Sequence, residues 1–194
     1  MRVPPRGVYG DAWFERADGV PMTKAASRAL ILSLLAPLEG ARVLEIGSGT
    51  GAMTVELLRA SGGGSVTSIE VSAEASGLTK RNAERSGLEA GLRLILGKAP
   101  DDVPRWSFDA AFIGGHGADL EAVIASCWDR LVPGGRVLLS SITPGTTSKA
   151  LAYLDRLGAS VGFWRAQTSI GRKAGAEWLL IGSSPIDLIW GDRE

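Results

Sequence analysis

The run Val43-Leu44-Glu45-Ile46-Gly47-Ser48-Gly49-Thr50-Gly51 constrains this chain more than any other stretch. An apolar segment leads straight into alternating glycines, and a helix-forming segment begins near Ala52. That order reads as a buried strand, a glycine turn and a helix, the opening of an α/β unit. Glycines let the turn take positive φ and let a ligand come close to the backbone. The N-terminus of the following helix offers unpaired N–H groups to a carboxylate or phosphate. A nucleotide-like cofactor is the first expectation.

Gly47-x-Gly49-x-x-Ala52 also satisfies a relaxed dinucleotide fingerprint, so the block alone does not choose the cofactor. Two features favour S-adenosylmethionine over NAD. Glu45 lies near the end of an apolar strand, where a buried carboxylate is rare without a partner. The block also sits well inside the chain, behind an apparent helix, rather than at the first strand of an N-terminal unit. Both are features of S-adenosylmethionine methyltransferases, whose cofactor carries an ammonium for such a carboxylate to meet.

At 194 residues the chain suits one domain with a substantial core. We divide it into an N-terminal arm over 1–22, rich in Pro, Gly and isolated aromatics, and a single methyltransferase domain over 23–194. No apolar run is long enough to cross a membrane, and the first residues lack a signal-peptide pattern. The lone Cys127 excludes an intramolecular disulfide and suits a reducing cytoplasm. With 21 basic and 21 acidic residues, no global field attracts nucleic acid. One His and one Cys cannot build a zinc or iron–sulfur site, so no metal is expected.

A helix is predicted from Thr23 or Lys24 to about Ala36, with Thr23 as its N-cap and Ala26, Ala29, Leu30, Leu32, Leu34 and Leu35 on its apolar side. Strands at 42–47, 65–70, 92–96, 109–113 and 135–141 then alternate with helices at 51–60, 73–86, 117–131 and 146–157. Such alternation implies a parallel sheet covered on both faces. Ala159–Gln167 and Glu177–Ser183 read as strands with no helix between them, an antiparallel finish. The fold class is α/β, a Rossmann-like, mostly parallel sheet of the class I S-adenosylmethionine methyltransferase type.

Several side chains fall at the carboxyl edge of that sheet, where open α/β folds bind ligands. Glu70 ends the second strand, about twenty residues beyond the glycines, where an acidic group accepts hydrogen bonds from both ribose hydroxyls. Gly97-Lys98-Ala99-Pro100-Asp101 opens after the third strand, and its small residues let adenine lie against the backbone. Pro133-Gly134-Gly135-Arg136 turns tightly into the fifth strand.

The whole pattern resembles the cobalamin-pathway precorrin C15-methyltransferases that also decarboxylate an acetate side chain of the ring. These occur as a stand-alone enzyme or as the C-terminal half of a precorrin-6Y C5,15-methyltransferase. The pieces that carry the resemblance are Val20-Pro21-Met22-Thr23-Lys24, Gly47 through Glu56, Gly97-Lys98-Ala99-Pro100 and Phe112-Ile113-Gly114-Gly115, with Arg165-x-Gln167-x-Ser169-x-Gly171-Arg172 in support. The two glycines after Ile113 stand where amino-directed enzymes acting on nucleic-acid bases place a polar Pro-Pro turn. They leave open space for a broad planar substrate.

The resemblance implies S-adenosylmethionine contacts from Thr23, Gly47, Ser48, Gly49, Thr50, Gly51, Glu70 and Ala99, to which we add Glu45 and Lys98. It also implies a tetrapyrrole (precorrin) substrate, a homotetramer and, for some relatives, an upstream C5-methyltransferase domain. Because precorrins carry several carboxylates, Lys24, Arg165, Arg172 and Lys173 are candidate basic donors. Lys24, Arg172 and His116 are the candidate catalytic residues, His116 as a proton donor or a hydrogen-bond partner of a substrate carboxylate. The plainer alternatives are a solvated Lys24 and a loop histidine. Cys127 and Trp128 read as core, and Phe163 and Trp164 as flanking either the substrate or a subunit contact.

Three departures from the family pattern stand out. Ser48 replaces a frequent cysteine, Pro144-Gly145 stands where relatives often carry Leu-Glu, and Tyr9-Gly10-Asp11 replaces the usual entry of the arm. Two other functions compete with the precorrin reading. One is a class I methyltransferase acting on tRNA or protein, and the other is a cofactor-binding domain without turnover.

Overall fold

A computed structural model describes residues 7–117 and 119–194. Residues 1–6 of the expected arm, and residue 118 at the start of the expected fourth helix, lie outside the described residues. Helices α1 (Ala25–Leu35), α2 (Ala52–Ser61), α3 (Ala73–Ser86), α4 (Leu120–Trp128) and α5 (Pro144–Arg156) alternate with strands β1 (Arg42–Ile46), β2 (Ser65–Glu70), β3 (Leu92–Leu96), β4 (Phe108–Ile113) and β5 (Leu131–Ser141). Four strands follow: β6 (Ser160–Ala166), β7 (Ser169–Ala174), β8 (Glu177–Gly182) and β9 (Ile186–Asp192).

Seven strands form one sheet in the order β3-β2-β1-β4-β5-β9-β6. β1 to β5 pair in parallel, and β9 lies antiparallel between β5 and β6. The antiparallel finish is therefore present, and the predicted Ala159–Gln167 supplies its outer strand β6, but the predicted Glu177–Ser183 does not supply the other. Glu177–Gly182 leaves the sheet and pairs with β7 in a separate two-stranded hairpin. Ile186–Asp192, which carries the buried Asp187, Leu188 and Ile189, takes the place in the sheet. Pro133 to Gly135 fall at a break in the β4–β5 register, which jumps from Phe108↔Leu131 to Ala110↔Arg136.

Strand alternation sends side chains to two cores. Leu44, Ile46, Phe108, Ala111, Ile113, Val137 and Leu139 meet α4 and α5 on one face, with Cys127 and Trp128 inside that core. Val43, Val66, Phe112 and Leu138 meet α1 and α2 on the other. The buried positions of α1 are Arg28, Ile31, Leu34 and Leu35, whereas Ala26 and Ala29 face solvent. The apolar side of α1 is thus rotated from the predicted one, because the larger Ile31 buries more area than two alanines. Thr23 does not cap this helix. Lys24 occupies the N-cap position without a side-chain bond, and Asp11 Oδ1 accepts from Ala25 N at 2.8 Å.

The segment before α1 is extended apart from one 3-10 turn at Asp11–Trp13. Its Tyr9 and Phe14 are buried against Ala52 and Val55 of α2. Among the described residues no helix is long and apolar enough to cross a membrane.

Candidate functional site

A cavity of about 530 Å³ opens at the carboxyl ends of β1, β2, β3 and β4. Its walls are Asp18 to Pro21 and Thr23 from the N-terminal segment, the turn Ile46–Gly49, Ile69 to Ser72 with Glu74 and Ala75, Gly97 to Ala99, and Gly114 to Gly117. Its volume suits a nucleoside-sized ligand.

The glycine turn is held from every side. Gly47, Gly49 and Gly51 all take positive φ. A Cβ at Gly47 would lie 2.9 Å from Gly115 N, one at Gly49 would collide with the Pro21 carbonyl, and one at Gly51 would lie 2.6 Å from Thr79 Cα. Four of the turn's amides are also occupied. Gly47 N donates to Ile69 O, Gly49 N to Glu70 Oε2, Thr50 N to Pro21 O and Gly51 N to Ser48 O. Ala52, Met53 and Thr54, which open α2, are buried. The unpaired N–H groups expected at this helix N-terminus are therefore not offered to the cavity, and a pyrophosphate would find few donors here.

What the cavity offers instead is acceptors. Glu70 Oε2 receives Gly49 N and Oε1 receives Ser72 N, both at 2.9 Å. Each carboxylate oxygen keeps further lone-pair capacity, which suits it to accept from a ribose diol. Ala99, buried, and Lys98 close the wall after β3, with Lys98 N tied to Asp102 Oδ2 at 2.7 Å. The Glu70 carboxylate at the cavity edge fits the ribose diol of S-adenosylmethionine.

Of the expected cofactor residues, Thr23, Gly47, Ser48, Gly49, Glu70, Lys98 and Ala99 line the cavity. Thr50, Gly51 and Glu45 do not. Thr50 is fully buried, and Gly51 faces α3. Glu45 points with Val43 toward the α2 layer, where Oε2 accepts from Thr54 Oγ1 at 2.5 Å and Ser68 Oγ at 2.8 Å. Burial pushes the Glu45 carboxyl up to about 7, against the opposing pull of the Thr54 and Ser68 hydroxyls, and the neighbouring Glu70 adds to the rise. Strand alternation placed it away from the ligand, so it cannot meet the cofactor's ammonium as expected.

Of the expected catalytic residues, only His116 lines the cavity. It follows Gly114 and Gly115, whose amides both donate to Ile46 O. A Cβ at Gly115 would meet only Gly47 Cα at 4.0 Å, so the space beside it is open, whereas one at Gly114 would lie 3.0 Å from Phe112 Cε1 and 3.1 Å from Gly47 O, so only one of the two glycines leaves the expected space. His116 Nδ1 is buried without a hydrogen-bond partner. Lys24 is exposed and outside the cavity wall, and Arg172 and Lys173 lie on the exposed β7–β8 hairpin. Arg165 is committed to a two-point ion pair with Asp187, at 2.7 and 2.8 Å.

Three residues that matter to the site escape sequence reasoning. Asp11, Arg28 and Asn82 tie the N-terminal segment to the body of the domain. Arg28 alone left a trace, since the buried stripe of α1 stepped back from Ile31 lands on it.

The pattern of the family described as "Precorrin methyltransferase domain" matches residues 12–181. A protein of Saccharolobus solfataricus named "Probable cobalt-precorrin-6B C(15)-methyltransferase (decarboxylating)" is 34% identical over 187 residues, covering 94% of each chain. The crystal structure of a precorrin 8W decarboxylase from Methanobacterium thermoautotrophicum superposes with a TM-score of 0.88 at 29% identity, over 98% of this chain and 99% of that one. The C-terminal domain of precorrin-6Y C5,15-methyltransferase from Rhodobacter capsulatus gives 0.79 at 28% identity, over 95% and 96%.

Proposed function

The chain belongs to the precorrin methyltransferase family, and on that premise we propose that it methylates a precorrin at C15 and removes the C12 acetate carboxyl as carbon dioxide, in the building of the corrin ring. The observation that carries this reading is agreement along almost the whole chain with a decarboxylating C15-methyltransferase, over a cavity that fits the cofactor. S-adenosylmethionine, when bound, supplies an electrophilic methyl group on a sulfonium sulfur.

The residues do the rest by placement. Glu70 accepts from the ribose, Ala99 and Lys98 bound the adenine side, and Thr23, Gly47, Ser48 and Gly49 shape the wall of the amino-acid end. Methyl transfer needs alignment and exclusion of water more than a strong base. Gly115 provides the clear approach for a flat ring. His116 is the proton-handling group beside it. Its buried Nδ1 has no partner, which leaves Nε2 as the nitrogen available to a ligand. Nε2–H then donates a hydrogen bond to a substrate carboxylate.

The chain acts as a homo-oligomer, a tetramer by family resemblance, in the cytoplasm. Support for assembly comes from the hairpin, where Ile170, Trp178, Leu179, Leu180 and Ile181 are all exposed. A two-stranded hairpin with such a surface is marginal alone and marks an interface. A C5-methyltransferase supplies the substrate, on a separate chain or an upstream domain.

The test is incubation of the purified chain with S-adenosylmethionine and a C5-methylated, reduced precorrin, in metal-free and cobalt-containing forms, followed by mass spectrometry. One methyl gained with one carbon dioxide lost is the expected product. A methyl gained without that loss places decarboxylation elsewhere, and no change despite cofactor binding overturns the proposal.

A further inference from the structure

One cavity wall comes from the segment before α1, apart from the strand-end turns that form the others. Asp18 to Pro21 and Thr23 come from the segment between the first buried aromatic, Tyr9, and the start of α1. Such a loop has to be held by something other than strand pairing if it is to present a fixed surface to a ligand.

Both ends of this segment converge on a single guanidinium. Arg28 is fully buried in α1. Its Nη1 donates to Asp11 Oδ1 at 2.9 Å and to the Thr23 carbonyl, and its Nη2 donates to the Tyr9 carbonyl at 2.5 Å. The same group lies 4.8 Å over the Phe14 ring and places Nε 3.8 Å from Glu56 Oε1. Glu56, also buried, accepts from Tyr9 N at 2.6 Å and pairs with Arg59 at 2.6 Å. Two cations and two carboxylates therefore neutralise one another within the network.

The middle of the segment is tied separately. Asn82 of α3 exchanges two hydrogen bonds with the Glu15 backbone and donates to Thr50 O at 2.8 Å. Pro21 O then receives Thr50 N at 3.1 Å. The result is a closed strap, pinned at both ends by Arg28 and resting on the glycine turn.

We infer that Arg28 is a positioning residue for the cofactor: it does not itself line the cavity, yet it sets the affinity of the site by fixing the strap that forms one wall. This rests on the cofactor reading given above. Only arginine has the planar fork to reach three acceptors on two separated stretches of chain, and a lysine ammonium cannot serve them in one geometry. With the fork gone, the strap is released at Tyr9 and Thr23 while the sheet beneath keeps its own ladder. Ligand binding must then order the segment itself, and that ordering is subtracted from affinity.

The experiment compares the full chain with Arg28→Lys by calorimetric titration of S-adenosylhomocysteine, hydrogen exchange of the ligand-free proteins, and steady-state kinetics. We expect S-adenosylhomocysteine to bind at least about tenfold more weakly in the variant. Exchange should quicken across 15–23 and stay slow in β1 and β4. The KM for S-adenosylmethionine should rise with kcat at saturation kept within about twofold. Exchange and affinity both within twofold of the wild type overturn the inference. Faster exchange spread over β1 and β4, with kcat lowered, also overturns it by showing a general structural role. If Arg28→Lys does not fold, Asp11→Asn decides, since it weakens one anchor and leaves Arg28 its other partners. The same local loosening supports the inference, and an unchanged strap and affinity refute it. Failure of the wild-type chain to bind S-adenosylhomocysteine sinks the cofactor reading instead, while ligand-free exchange still reports on the strap.

Discussion

Replacing Glu45 with glutamine should change how stability depends on pH. Glu45 is wholly buried, its Oε2 takes two hydroxyl donors, and its Oε1 has no partner, so its folded-state carboxyl is raised from 4.5 to about 7. A carboxyl raised on folding contributes stability that is complete below its unfolded value and is lost as pH climbs through its folded value. The loss for the wild type therefore runs from about pH 4.5 to about pH 7, as the buried group is forced to ionise, and levels off above that. A rise of one in pKa corresponds to roughly 1.4 kcal/mol, so the wild type should lose about 2–3 kcal/mol relative to Glu45→Gln between pH 5 and pH 8. Glutamine keeps an acceptor for Thr54 and Ser68 but cannot ionise, so its own baseline cost is constant with pH. The assay is urea unfolding of both proteins at pH 5, 6, 7 and 8 at one protein concentration, taking the difference in stability at each. A difference that stays flat to within about 0.5 kcal/mol would refute the claim that this carboxyl is held neutral by burial.

Three further outcomes are expected. Glu70→Gln turns an amide NH₂ toward amides that now donate to a carboxylate, so S-adenosylhomocysteine affinity should fall about 10- to 100-fold by calorimetry, and an unchanged affinity would remove Glu70 from the ribose role. His116→Gln should fold and bind S-adenosylhomocysteine normally while product formation drops about 100-fold, and full activity in the mass-spectrometric assay would exclude proton handling at this position. Trp178→Glu with Leu180→Glu, both on the exposed face of the hairpin, should convert the oligomer to monomers in sedimentation velocity; an unaltered coefficient would place the interface elsewhere.

The parallel half of the fold was legible because its signals are local. Each apolar strand ends at a glycine or a charge, and each helix has its own period, so β1 to β4 emerge within a residue or two of their observed limits. The C-terminal forty or so residues were not legible to the same degree. Glu177–Gly182 and Ile186–Asp192 have equally good strand compositions, and what separates them is tertiary: only the second finds a slot between β5 and β6. The site divides in the same way. Glu70 and Ala99 could be placed because strand ends fix the cavity's edge. Glu45 could not, because two-residue alternation decides its direction and nothing in an apolar run marks which face holds the ligand. Arg28 was hidden by its own chemistry, since an arginine on a helix is usually solvated and its acceptors come from far along the chain.

The glycine turn shows why a motif can identify a fold while misdirecting its chemistry. Read as a fingerprint, it promises backbone amides to a phosphate. In the folded chain those amides serve β2, Glu70 and the strap, and its three glycines are required by three different neighbours: Gly115 after β4, Pro21 in the N-terminal segment and Thr79 of α3. The turn is the point where these elements meet, and the lack of side chains serves their approach as much as that of a ligand. With four of the turn's amides already paired, a cofactor bound there is recognised in large part by acceptors on the surrounding walls. That requirement favours a cationic sulfonium nucleoside with a free ribose diol over a pyrophosphate, and it follows from which amides are already paired rather than from the spacing of the glycines.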